Sequence, residues 1–461
     1  MIKKIFLMSL VLSQLAISCS SDESGDETTP ETELTLEEQI AALVKQPYSN
    51  LTPSQQKVKL EAEANDMLVQ LDKTKSSSAI EALENLSRLL SQSSVDIFDG
   101  KSGNGVEEAL TVSGVYGIYT WNSTGKAWTK TASSTELKFV FPAKEGQTTN
   151  NAVFSAKSTS SDVKVQIIDT YAEWGWNEET QQYGPITPEL NDWFYLPTSA
   201  DAVLTIDNAQ AATIAQTAKY ANGKEVPTDF TYKVTLNDGY TWEMSTVKGA
   251  QNTSKASLTF NGKNLITFNA GSNAEIDKLI DNDELVQYRG KANGLFTLMD
   301  NFVILADMDL ATEAADDAAL ESANVRPTHP EYDKADSDFK AYYTALNAYE
   351  KKISEGTAAN FNKNIKLILV SKKDGTKIAD IVQHSEKDGE YTFTLPVWDE
   401  ENGYWSSWTN EGESFTQPYL DEVYYLKFSD STEVEMSAYF SEGFSNFEAK
   451  FEEFIKAFEK K

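Results

Sequence analysis

The sequence predicts an α+β protein: an antiparallel β-meander, curved or part-way to a barrel, with a helical cap before it, a helical insertion within it and a docked helix at its end. Three observations predict it. From about Val95 to Ala270 apolar residues alternate at period two, and the runs are separated by hairpin turns. On either side, Leu36 to Gln92 and Ala274 to Gly356 show helical spacing and helix-start residues. The β runs are joined by short turns and not by crossover helices, which makes the sheet antiparallel.

The helical cap covers residues 35–94. Thr35-Leu36-Glu37-Glu38 and Ser78-Ala79-Ile80-Glu81 have capping-box spacing, in which a hydroxyl and a carboxylate each satisfy a free backbone N–H at a helix start. Thr52-Pro53-Ser54-Gln55 sets an N-cap threonine before a proline at the first helical position. In the third helix Ile80, Leu83, Leu86 and Leu90 share one face.

The first β region covers 95–273. Tyr119 and Trp121 lead to a loop at Ser123-Thr124-Gly125, Trp128 follows, and Leu137, Phe139 and Phe141 alternate in the next strand. Phe230, Tyr232, Val234 and Leu236 alternate into Asn237-Asp238-Gly239, and Tyr240, Trp242 and Met244 alternate back. Leu258 and Phe260 turn at Asn261-Gly262 and return through Leu265 to Phe268.

Residues 274–361 read as mainly helical, with Phe339, Tyr342, Leu346, Tyr349 and Ile353 on one side of a long helix. A second β region, 362–440, turns at Asp374-Gly375, continues through Tyr391, Phe393 and Leu395, and resumes from Val423 to Tyr439. Residues 441–461 read as an amphipathic helix whose Phe447, Phe451, Phe454, Ile455 and Phe458 need a surface to dock on. VLTIDNAQAATIAQ and LILVSKKDGTKIAD resemble each other as strand, turn and returning strand, which a shared hairpin type explains as well as duplication does.

Composition closes several functions. The 461 residues carry 71 acids against 40 bases, a formal charge of −31, so the surface repels phosphate backbones and nucleic acid is not an expected partner. A single cysteine allows no intrachain disulfide, and two histidines cannot build a His-rich zinc site. No EF-hand register, GxSxG, Walker loop or Rossmann fingerprint occurs, and no cofactor is expected.

At the start of the chain Lys3 and Lys4 precede an apolar run, Ile5 to Ile17, and Ala16-Ile17-Ser18 leads to Cys19. This is the build of a signal peptide over residues 1–18, too short to span a bilayer as a helix. Leu15-Ala16-Ile17-Ser18-Cys19 resembles the lipobox of bacterial lipoproteins, with Ala16 where leucine is commonest. The resemblance implies that Cys19 becomes the acylated N-terminus and that the membrane is a partner through this lipid anchor; several acyl chains hold where one does not. Ser20-Ser21-Asp22-Glu23, with Asp26 and Glu27, is similar to the acidic signal of Bacteroidota surface lipoproteins, which implies the outer face of the outer membrane. Read on their own, residues 19–34 are an acidic, self-repelling tether. Asp430-Ser431-Thr432 resembles the short O-glycosylation sequon of the same group.

Six of the nine tryptophans fall in two stretches: Trp174, Trp176 and Trp193 within 171–197, and Trp398, Trp405 and Trp408 within 395–420. Both stretches read as long loops or irregular hairpins mixing aromatics with Gly, Asn and acids. An indole face stacks on the apolar side of a sugar ring or on an aliphatic chain, which makes these six the candidate ligand-binding residues. The structural reading is that they fill the ends of a β core. The same stretches hold Glu173, Glu178, Glu179, Glu189 and Asp192, and Asp399, Glu400, Glu401, Glu411 and Glu413, from which a glycosidase pair would have to come.

The expectation is therefore a non-enzymatic lipoprotein of the cell envelope that binds an extracellular ligand, such as a glycan, through aromatic loops. Two alternatives stand beside it: a carrier holding a lipid or other apolar molecule in a β cavity, and a carboxylate-dependent glycoside hydrolase.

Overall fold

The computed structural model describes residues 34–93, 95, 108–168, 174–178, 180–185, 191–282, 285–407 and 411–440. Cys19, Trp408 and the helix expected over 441–461 lie outside them. The fold is α+β. The chain opens with α1 (Leu36–Val44), α2 (Pro53–Asp72), α3 (Ser78–Gln92) and the short α4 (Glu108–Thr111). Then come β1 (Gly117–Asn122), β2 (Ala127–Thr131), β3 (Leu137–Phe141), β4 (Ala152–Ile168), β5 (Trp174–Asn177), β6 (Gln182–Pro185), β7 (Asn191–Ile206) and β8 (Ala209–Lys219). The meander continues with β9 (Asp229–Leu236), β10 (Tyr240–Val247), β11 (Asn252–Phe260), β12 (Lys263–Ser272), α5 (Ile276–Asp281), β13 (Lys291–Leu298) and β14 (Phe302–Asp309). The last part holds α6 (Leu310–Ala323), α7 (Phe339–Asn364), β15 (Ile365–Ser371), β16 (Thr376–Thr394), β17 (Val397–Asp399), β18 (Tyr404–Ser406), β19 (Ser414–Lys427), β20 (Glu433–Glu435) and the single turn α8 (Met436–Tyr439).

Sixteen of these strands form one open sheet in the order β2-β1-β3-β4-β7-β8-β9-β10-β11-β12-β13-β14-β15-β16-β19-β20. The two β regions are thus continuous. Pairing is antiparallel throughout except between β1 and β3, where Tyr119 lies beside Phe139 in a parallel pair. The stretch 274–361, expected to be mainly helical, also carries β13 and β14, which pass the sheet from one β region to the other. Both faces of these strands are buried: Leu298 and Phe302 join one core cluster, Leu295, Val303 and Leu305 the other. A strand buried on both sides reads as a continuous apolar run, so its period is hidden.

The helical cap also divides. α1 lays Ile40 and Leu43 on Leu295, Val303, Leu305, Ile368 and Val370, on one face of the sheet. α2 and α3 lie on the opposite face, within the large cluster that runs from Tyr119 and Phe139 to Leu426 and Tyr439. Between them the chain crosses beside β16, where Tyr48 bridges Lys377 and its hydroxyl donates to Asp380 Oδ2 at 2.6 Å. The predicted capping box at Thr35 forms and so does the predicted N-cap at Thr52, which Gln55 closes into a box, but at α3 the cap is Ser77, one residue before the expected Ser78, its hydroxyl accepting from Ile80 N at 3.4 Å.

Strand direction sorts the connections into two ends. The tight turns at Asp207-Asn208, Asp238-Gly239, Asn261-Gly262, Met299-Asp300 and Lys372–Gly375 all fall at one end of the sheet. Along α2, Lys59 binds Asp374, Glu63 accepts from Asn301, and the Gln70 carbonyl accepts from the Tyr240 hydroxyl. At the other end two hairpins run on past their neighbours as twin ribbons, β4/β7 and β16/β19. Each ends in a small nested hairpin, β5/β6 and β17/β18 respectively. The segment from Val423 to Tyr439, expected as strand, ends in α8, whose Tyr439 hydroxyl donates to the Pro53 carbonyl at 2.7 Å.

Candidate functional site

The two tryptophan stretches are the tips of the twin ribbons, and their surroundings differ. At the first tip Trp176 pairs with Tyr183 and Trp174 with Pro185 across β5/β6. Directly paired residues, and residues two apart, share a sheet face, so Trp174, Trp176 and Tyr183 stand together. The other face carries Gly175, Gly184, Asn177 and Gln182. The hairpin closes through the Asn177 carboxamide oxygen, which accepts from Thr180 N at 3.1 Å, and through Gln181 at a φ of 54°. Trp174, Trp176 and Tyr183 are 66%, 55% and 69% exposed.

Further down the ribbon Trp193 and Tyr195 alternate with Phe194, which packs on the core. Both are exposed, and the Lys164 ammonium lies 5.3 Å from the centre of the Trp193 ring. The Tyr195 carbonyl accepts from both the backbone N–H and the hydroxyl of the buried Ser113, at 2.8 Å each. Five aromatic rings therefore stand exposed along one ribbon and its tip.

The second tip is covered. Trp398 and Trp405 are cross-strand partners with ring centres 6.0 Å apart, but the loop between α6 and α7 lies over them. Trp405 N–H donates to the Tyr332 carbonyl at 2.7 Å and its indole N–H to the Lys334 carbonyl at 2.8 Å. Phe339 meets Trp405 at 5.3 Å, and Tyr332 and His329 complete the stack. The remaining predicted site residue, Trp408, is outside the described residues.

Two of the described carboxylates at the second tip are engaged. Asp399 accepts from Glu401 N, Asn402 N and the Asn402 side chain, and these bonds, the Asn402 side chain first, hold its pKa below the usual carboxylate range. A carboxylate kept ionised is poorly suited to donate a proton to a leaving group. Glu413 is paired with Lys340 at 2.6 Å. Among the described residues no group of three His, Cys, Asp or Glu side chains is placed to hold a metal ion. His384 is bound to Glu433 at 2.6 Å, within a cluster that also holds Lys427.

Where the first ribbon leaves the sheet, β4 bulges at Ser161-Asp162-Val163, and a cavity of about 530 Å³ opens against the ends of β8 and β9. Tyr220 closes one side and donates to the Pro197 carbonyl at 3.2 Å; burial pushes its hydroxyl up to about 12, so it stays a donor. Sequence reasoning missed Tyr183, Tyr195 and this cavity. The signal for the first was present: aromatics at alternate positions with glycine between them mark one face of a hairpin and not a loop.

No protein-family model, curated protein or solved structure matches the chain.

Proposed function

We propose that the protein is a non-enzymatic, lipid-anchored receptor of the cell envelope that holds an extracellular glycan on the aromatic face of the first ribbon. One observation carries the reading: Trp174, Trp176 and Tyr183 share one face of a hairpin and remain more than half exposed, with nothing of the described chain laid over them. A core-filling role does not leave three large rings in water. A face of indoles and a phenol matches the apolar side of pyranose rings. Trp398 and Trp405 enter this proposal as the supports of the second ribbon and not as ligand contacts.

The carrier alternative needs an empty interior. Leu86, Leu89, Met67 and Tyr240 fill the face that α2 and α3 cover, so the ring-lined hairpin is the better supported site. The anchor at Cys19 and the outer-membrane surface belong to the same proposal and rest on the N-terminal sequence.

Titration calorimetry with neutral oligosaccharides tests the site. Trp174→Ala and Trp176→Ala should each weaken binding about tenfold, the worth of one stacked ring plus its buried area, with an unchanged melting temperature. Equal affinity in both variants would sink the proposal. For the anchor, Cys19→Ala should move the protein from the detergent phase to the aqueous phase on Triton X-114 partition; a variant that stays in the detergent phase would reject lipidation.

A further inference from the structure

We infer that the cavity at the base of the first ribbon is the second part of the same binding site, and that the ligand is an extended oligosaccharide without acidic sugars. The inference rests on the glycan reading of the aromatic hairpin. Its first support is placement. Ser199 alternates with the core-facing Ala200, Ala202 and Leu204 of β7, and beyond the bulge at Thr198 the rings of Trp193 and Tyr195 are exposed. Ser199 pairs with Thr217 of β8, and Thr217 in turn with Thr231 of β9, putting these threonines on the outward face too. Thr217 and Thr198 line the cavity, and Trp193 and Tyr195 stand exposed further along the same ribbon.

A second support is continuity. Ser160 lines the cavity with its hydroxyl 2.7 Å from that of Ser113, and Ser113 itself binds the Tyr195 carbonyl. The wall of the cavity is thus joined to the aromatic stretch. From Thr198 to Trp193 is five strand residues, about 17 Å, which is several sugar units and not one.

The chemistry of the lining gives the class. Ser160, Ser161, Thr198, Thr217 and Tyr220 line the cavity with hydroxyl oxygens, Thr198 and Tyr220 giving their protons to the Thr159 and Pro197 carbonyls and Thr217 bonded to Thr231, and with the carboxylates of Asp162 and Asp229 they make a set that accepts from sugar hydroxyls. The cations at hand are engaged: Lys219 binds Asp229 at 2.6 Å, and Lys164 lies over Trp193. From Val165 to Ala218 the sequence has no lysine, arginine or histidine, but eight acids. An acidic sugar would enter a negative field without a partner.

Calorimetry with gluco- and manno-oligosaccharides of two to six residues, and with oligogalacturonates of the same lengths, tests this. Wild-type affinity should rise at least tenfold from two to six neutral residues. Asp162→Ala and Thr217→Val should lose that rise while binding the shortest sugars as wild type does, and Thr217→Ser, which keeps the hydroxyl, should restore it. A rise that survives in both variants, or no rise in wild type, overturns the cavity while leaving the hairpin standing. Oligogalacturonates bound as tightly as neutral sugars overturn the charge argument. Wild-type protein that binds none of the neutral sugars overturns the hairpin reading and the cavity with it.

Discussion

Asn301 joins three parts of the molecule with one buried amide. Its NH2 donates to Glu63 of α2 at 2.8 Å, and its oxygen accepts from Lys373 N at 2.9 Å and from the Ser371 hydroxyl at 3.2 Å. Asn301→Ala would leave the Lys373 N–H without its partner, while Glu63 keeps the Lys373 ammonium and Ser371 keeps Asp374, a loss of about 1–3 kcal/mol in urea unfolding. Asp374 ties the same helix through the next hairpin. The Lys59 ammonium, aided by Ser371, holds its carboxyl below the usual range, and Lys248 with Lys224 does the same for Asp277. A carboxylate whose pKa is depressed on folding adds stability that is present above its unfolded pKa of about 4 and is lost as pH falls through the folded value. Thermal stability should therefore drop below about pH 4, and Asp374→Asn should flatten part of that drop while costing no more than about 1 kcal/mol at neutral pH, because the pair is partly exposed. A melting curve equally steep in acid for the variant would assign the pH response elsewhere. None of these partnerships is legible in sequence, since Asn301, Asp374 and Lys59 carry no local pattern that announces partners hundreds of residues away.

The twin ribbons show what an element adds to its residues. In sequence the two tryptophan stretches look alike, with aromatics, glycine and acids in similar mixture, and both suggest recognition. The difference lies in the loop between α6 and α7, where the backbone carbonyls of Tyr332 and Lys334 take up the N–H groups of Trp405, about seventy residues away. Nothing comparable covers Trp174 and Trp176 among the described residues. The likeness between VLTIDNAQAATIAQ and LILVSKKDGTKIAD also resolves at this scale: they are the hairpins β7/β8 and β15/β16, but the long ribbon precedes the first and follows the second. That reversed order fits a shared hairpin type and not a duplicated unit. Gly412 tests the second ribbon. A Cβ there would fall on the Leu395 carbonyl oxygen, a backbone atom that cannot swing aside. Gly412→Ala should destabilise the protein by about 1–3 kcal/mol, the usual cost of forced overpacking, and alter the fluorescence of Trp398 and Trp405 while sugar binding at the first ribbon persists. Loss of sugar binding in this variant would place the site on the second ribbon instead.

At the scale of the molecule, the hairpin turns of the meander were readable because Asn-Gly and Asp-Gly sit between alternating apolar runs, whereas its continuity through β13 and β14 was hidden by burial on both faces. The outcome is a wide open sheet, and a wide sheet is at risk of unfolding piecemeal, since each strand touches only its neighbours. α2 opposes this. Its residues bind the β15/β16 turn through Asp374, the β13/β14 turn through Asn301 and β10 through Tyr240, and its first residue accepts from Tyr439 near the far edge. α3 extends the brace to the other flank, where the Asn85 side chain donates to the Pro142 carbonyl at 2.6 Å. Strands far apart in the sheet therefore share one helical support, and loss of any hairpin weakens the helix that holds the rest. We expect heat unfolding to be a single transition, with far-UV circular dichroism and tryptophan fluorescence giving the same midpoint. The tryptophans make the comparison informative, because Trp121 and Trp128 report on the β1/β2 edge while Trp398 and Trp405 report on the second ribbon with α7. Substituting the first pair or the second pair by phenylalanine separates the two signals. If the second ribbon melts several degrees before the β1/β2 edge, α2 is not the coupling element, and the ribbon with α6 and α7 is a unit that unfolds by itself.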